Sequence, residues 1–176
     1  MSLAIFDLDN TLIAGDSDHS WGQFMVNKEL VDSEHYRSEN DRFYQDYERG
    51  ELDIQAYLRF SLEPLTRFAP SQLEALHEEF MQSVITPMRL KKAEELLDWH
   101  RSRGDYLLII TSTNGFITEP IAKAMGVDDI MATDAERIDG RYTGQMTGTP
   151  CYQEGKVSRL KEWLQTYEGD LKDSWF

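Results

Sequence analysis

The 176-residue chain has a single cysteine, Cys151. No intrachain disulfide can form, and that usage fits a reducing compartment. Positive charge is also scarce: 18 basic residues stand against 32 acidic ones, a formal net charge of −14. No basic stripe runs along the chain. This argues against nucleic acid and anionic membranes as partners, because both need clustered lysine and arginine. A small anion can still be held by backbone N–H groups or by a metal ion. No apolar run approaches the ~18 residues of a membrane-spanning helix. The N-terminus shows neither a basic region nor a long apolar stretch, so no signal peptide is expected. The chain reads as cytoplasmic. It has no internal repeat and no low-complexity segment, and nothing in it fixes an oligomeric state.

What is present is a hydrophobic content of 40%, enough for a sizeable core. Residues 2–6 read as a short buried strand. From residue 18 to residue 85 the apolar spacing is helical throughout, in "SWGQFMVNKEL", "SEHYRSENDRFYQDYERG", "ELDIQAYLRFSLEPL" and "APSQLEALHEEFMQSVI". Pro64 should end one of these helices and Pro70 should open the next, with Ser71 and Glu74 at capping-box spacing. After Pro87 the pattern alternates. "MRLKKAEELLDWHRSRG" reads as a helix, "DYLLIITST" as a strand buried on both faces, and "GFITEPIAKAMG" as a helix closed by Gly126. Asp139–Gly140 marks a hairpin, "EGKVSRLKEWLQTY" another helix, and "KDSWF" the start of a strand. The expected fold class is α/β, a doubly wound and mostly parallel sheet formed by residues 1–15 and 86–176. Residues 16–85 form a helical insertion after the first strand.

Ligands of such sheets bind beyond the carboxyl ends of the strands. The opening strand runs into "DLDNT", which places Asp7 and Asp9 there. The strand "YLLII" delivers Thr111, Ser112, Thr113 and Asn114 to the same edge. Two aspartates one residue apart repel each other. Their pairing makes sense with a divalent cation such as Mg²⁺, beside hydroxyls and a helix N-terminus that suit a phosphate. On its own, "TSTN" is an ordinary turn and helix cap, and a bare Asp-x-Asp is a solvated turn.

Taken together, these residues resemble the haloacid-dehalogenase-like (HAD) superfamily. "DLDNT" looks like its first motif, and the apolar strand ending at Thr111 resembles its second. Lys156 in "QEGKVSRL" sits where the phosphoserine-phosphatase-like branch carries its third-motif lysine, and the helical block resembles that branch's small cap. The resemblance covers essentially the whole chain and implies a Rossmann-like core. It implies a Mg²⁺-dependent phosphatase acting on a small phosphorylated metabolite through an aspartyl-phosphate. Asp7 would be the nucleophile and Asp9 the general acid, with Thr111 and Lys156 completing the catalytic set. Asp7 and Asp9 would hold the metal, the second through its backbone carbonyl. Asp16 and Arg59 would read the amine and the carboxylate of an amino-acid phosphate, and Ser112 and Asn114 would lie against the substrate.

Phosphoserine leads among the substrates implied. Histidinol phosphate follows; it has an amine but no carboxylate for Arg59. A receiver-like phosphoacceptor module and a non-catalytic phosphate-binding protein are the competing classes. The branch carries an acidic fourth motif after the next strand. The chain stops at Trp175–Phe176 inside that strand, so a longer natural protein is expected. His19, His35, His77 and His100 lack metal-ligand spacing and read as surface or partly packed residues. The four tryptophans read as packing residues. Cys151 carries no sign of being a nucleophile.

Overall fold

The computed structural model describes residues 2–176. Five strands form one sheet in the order β4-β3-β2-β1-β5. Strand β1 (Ser2–Phe6) lies parallel to β2 (Tyr106–Asn114), with Leu3 opposite Tyr106 and Phe6 opposite Ile109. Strand β3 (Asp129–Ile138) is parallel to β2, and β5 (Asp170–Trp175) is parallel to β1. Only β4 (Arg141–Thr147) runs antiparallel. It returns through Asp139 and Gly140, at φ +51° and +78°, the positive values that a tight two-residue hairpin requires.

Side chains alternate across the sheet with the strand period of two. Leu3, Leu108, Ile110 and Met131 point to one face, where Cys151 and helix α8 (Glu154–Trp163) cover them. Ala4, Phe6, Leu107 and Ile109 point to the other, and there they join one continuous core with the helical segment. That segment contains α1 (Ser17–Asn27), α2 (Ser33–Glu48), α3 (Ile54–Leu62) and α4 (Pro70–Phe80). A π-helical turn at Met81–Ile85 carries α4 into the short α5 (Thr86–Met88). Helix α6 (Lys91–Ser102) then leads into β2, and α7 (Gly115–Met125) follows β2 and ends at Gly126 with φ +68°. The chain enters and leaves the helical segment side by side: Ala14 N–H donates to Met88 O at 2.7 Å and Leu90 N–H to Leu12 O at 3.4 Å.

Several expectations are corrected. Pro70 is the first residue of α4, as expected, but the cap lies two positions before Ser71 and Glu74: Gln72 reaches back, accepting from Ala69 N–H at 2.9 Å. Pro70 supplies a preset φ and needs no N–H partner, so it outcompetes Ser71 as the helix start. His77 and His100 are fully buried rather than at the surface. His77 sits among Trp21, Phe80 and Phe116 and donates through Nε2 to Ile117 O at 3.0 Å. His100 pairs with Asp105 at 2.9 Å beneath Trp175. Of the tryptophans only Trp21 is buried; Trp163 is half-buried, and Trp99 and Trp175 are largely exposed, edge to face.

Candidate active site

Past the end of β1 the chain continues in the same alternation. Leu8 drops into the core, which leaves Asp7 and Asp9 on the opposite side, at the carboxyl edge of the sheet. Leu8 O then accepts from the N–H groups of Thr11, Leu12 and Ile13, which turns the chain sharply. Asn10 takes φ +57° in this turn and donates its N–H to Gly15 O at 2.9 Å. Gly15 takes φ +143°, which L side chains rarely adopt; an added Cβ would also lie 2.7 Å from Met88 Cε and displace that flexible side-chain end.

The Asp9 carboxylate is held on both oxygens. Oδ1 accepts from Ser17 N–H at 2.6 Å, and Oδ2 accepts from the Thr113 hydroxyl at 2.9 Å and the Thr111 hydroxyl at 3.4 Å. Burial, followed by repulsion from Asp16, pushes its pKa up to about 6, against these bonds. Asp7 is more open. Lys156 reaches it from the first turn of α8, with Nζ 2.9 Å from Asp7 Oδ1 and 3.3 Å from Ile110 O. The three elements β1, β2 and α8 therefore bring Asp7, Asp9, Thr111 and Lys156 together.

Above them lies a narrow cavity that opens to solvent. Asp9, Ser112 and Thr113 form its floor, and Asp16, Asp18 and His19 come from the start of α1. Asn40, Phe43, Tyr44 and Tyr47 of α2, Tyr57 of α3 and Tyr152 before α8 complete the wall. Asp16 caps α1 by accepting from His19 N–H at 2.8 Å. Burial raises its pKa, and burial together with Asp16 raises that of Asp18 well above the carboxylate range. Neither lysine nor arginine lines this cavity.

Arg59 is not brought to the site. It is exposed on α3, two residues beyond the cavity-lining Tyr57. At 100° per residue that spacing turns it to the far side of the helix. Asn114 is buried at the N-cap of α7 but does not line the cavity, and its Oδ1 has no hydrogen-bond partner. Ser112 does line it. Thr113 was placed at the ligand edge by the sequence but given no role; its hydroxyl holds Asp9. Asp18 and the tyrosines went unread, and the tyrosines carried no signal, because helical periodicity marks which face is apolar and not what that face meets.

Magnesium can be tested against the donor set. Both Asp9 carboxylate oxygens are already engaged, so its side chain is a poor ligand; its backbone carbonyl stays available for that role. Asp7 Oδ2 has no partner among the described residues. No cluster of three or more His, Cys, Asp or Glu side chains forms a metal cage among those residues. A few hard oxygens, completed by phosphate and water, match the way Mg²⁺ is usually bound. The residues fit the ion.

A model of the haloacid dehalogenase-like hydrolases matches residues 4–176. The chain belongs to that family. Among the relatives of this HAD chain is a histidinol-phosphatase of Neisseria meningitidis, 46% identical over 93% of the chain and 74% of that protein. A phosphoserine phosphatase of Mycobacterium tuberculosis is 26% identical over 90% of the chain and 52% of its own length. A crystal structure of a protein of unknown function from Bordetella pertussis superposes with TM-score 0.89 at 42% identity, covering 98% of the chain and 78% of that protein. A phosphoserine phosphatase carrying a phospho-aspartyl analogue gives TM-score 0.67 at 18% identity, over 98% of the chain and 75% of that structure, which is agreement of fold. Among the described residues no helix is long and apolar enough to cross a membrane.

Proposed function

We propose that this HAD hydrolase is a phosphomonoesterase for a small substrate bearing a positive charge, with histidinol phosphate ahead of phosphoserine. The carrying observation is an Asp7–Lys156 pair beside a buried Asp9, which lines an acidic, aromatic cavity with neither lysine nor arginine among its described lining residues. An amine or imidazolium is at home in such a cavity, whereas the carboxylate of phosphoserine finds no cation there. This reverses the order expected from the sequence, where Arg59 was the carboxylate's partner. The Neisseria relative's name points the same way.

In this reading Asp7 attacks phosphorus and forms an aspartyl-phosphate as the ester oxygen departs. Lys156 fixes the attacking carboxylate and offsets charge on the phosphoryl oxygens. Asp9, whose raised pKa lets it carry a proton, donates it to the leaving alkoxide. It then takes a proton from the water that hydrolyses the intermediate. Thr111, with its long contact to Asp9, is placed to turn its hydroxyl to a phosphoryl oxygen, and the N-terminus of α7 adds a favourable field. Asp7 and the Asp9 carbonyl would hold Mg²⁺, which supplies charge neutralisation at the phosphate. The helical segment acts as a cap that keeps bulk water from the reacting atoms.

The test is phosphate release from a panel of esters with Mg²⁺ and with chelator, beside Asp7→Asn. Mg²⁺-dependent release that the substitution abolishes is expected. No release from any ester by the full chain would remove the reading.

A further inference from the structure

Asp18 is the carboxylate in the cavity for which the reaction has no use. It is only 7% exposed, yet its side chain lines the cavity. An acid in the first turn of a helix ordinarily faces solvent and favours the helix dipole. Here Asp16 already caps α1, and Asp18 is turned inward instead. The Tyr57 hydroxyl, from α3, lies near it and favours its ionised form. A phenol does not neutralise a charge. His19, the one basic residue in the wall, directs Nε2 to Asp41 Oδ1 at 2.9 Å instead. A buried carboxylate without a counter-ion is costly, and its pKa rises accordingly. Such a cost persists in a protein when something that binds there offsets it.

The walls indicate what that is. Phe43 and Tyr44 of α2 line the same cavity, and aromatic faces attract cations. Thr113 and Asp9 line the same cavity, so a group bound at Asp18 adjoins the reacting end. We infer that Asp18, which shares the cavity wall with Tyr57, is the counter-ion for the cationic group of the substrate and a specificity-determining residue of this site. The inference rests on the phosphatase reading for the identity of the ligand's other end. It separates the role of Asp18 from that of Asp16, which already serves as helix cap.

The probe is L-histidinol, the dephosphorylated amino alcohol, whose binding requires no turnover. Calorimetric titration of the full chain compares wild type with Asp18→Asn and Tyr57→Phe. Loss of one charge-assisted contact predicts binding weakened by about 10- to 100-fold in Asp18→Asn and by a smaller factor in Tyr57→Phe. Thermal unfolding of Asp18→Asn should occur at the same or a higher temperature, because an unpaired buried charge is gone. A structural role for Asp18 predicts the opposite, a lower unfolding temperature. Equal binding by Asp18→Asn and wild type overturns the inference, as does a wild-type chain that binds no histidinol. Asp18-dependent binding without phosphate release from any ester would leave Asp18 assigned and the reaction wrong. Phosphate release with Asp18-indifferent binding would do the reverse.

Discussion

Two regions join the helical segment to the sheet, and they are built on opposite principles. One is an aromatic seam. Trp21 meets Phe24 at 5.4 Å and Phe80 and Phe116 at 5.1 Å, with His77 stacked at 5.9 Å. Every ring there is buried; His77 donates to a carbonyl, while the Trp21 indole N–H has no hydrogen-bond partner among the described residues. The other is the cavity, where Asp9, Asp16 and Asp18 crowd together with their pKa values raised. The seam contributes stability, while the cavity holds charge repulsion that a ligand can relieve. Sites that carry function are where local rules of satisfaction are broken.

The sharpest way to separate the two is to remove one group from each. Asp7→Asn should reduce turnover by more than ~10³-fold, since the nucleophile is lost, without lowering the unfolding temperature. Steady-state phosphate release and thermal melts check both halves. Phe80→Ala, in the seam, should instead cost about 3–5 kcal/mol by urea titration, the range for truncating a buried aromatic.

A smaller effect lies in the pH dependence of stability, measured as unfolding temperature in chelator. Asp9 has a folded pKa of about 6 against an ordinary 3.8. Its stabilising contribution is full below 3.8 and lost as pH rises through about 6. His77 has the opposite sign, because burial lowers its pKa below the ordinary 6.5. Its contribution is full above 6.5 and lost as pH falls through the lowered value. Glu74, Glu78, Glu119 and Arg137 share the groove beside it and set the local charge. His77→Phe should therefore flatten the acid limb, by ~1.4 kcal/mol for each unit of depression removed. An unchanged acid limb would mean that the seam does not titrate.

The smallest expected effect belongs to Arg59→Ala. With its side chain outside the cavity, kcat/KM for any panel ester should change by less than about twofold. A tenfold loss on phosphoserine alone would place Arg59 back at the substrate.

The sequence carried much of this arrangement. Five mostly apolar residues running into "DLDNT" located the strand that ends at the site, and the alternation after Pro87 marked the parallel sheet. Only the resemblance to the family's third motif connected Lys156 with Asp7, 149 positions away. What stayed hidden depended on how helices face one another. The spacing of α3 does not say whether Arg59 or Tyr57 meets the cavity; its rotation about its axis, fixed by packing of Leu58 and Leu62, decides that. Burial of His77 and His100 was hidden for the same reason, since a histidine on an apolar face looks alike whether or not a carbonyl waits opposite. Asp18 was readable only as a helix-start acid, and its inward turn is a tertiary fact.

The most direct test of the central claim is the ratio of kcat/KM for histidinol phosphate over phosphoserine, measured with Mg²⁺ on the full chain. A cavity that recognises a cation and offers no partner to a carboxylate predicts a ratio well above about 10, the worth of one unpaired buried charge. A ratio below one would contradict it, and would mean that a cation outside the described lining reaches the substrate.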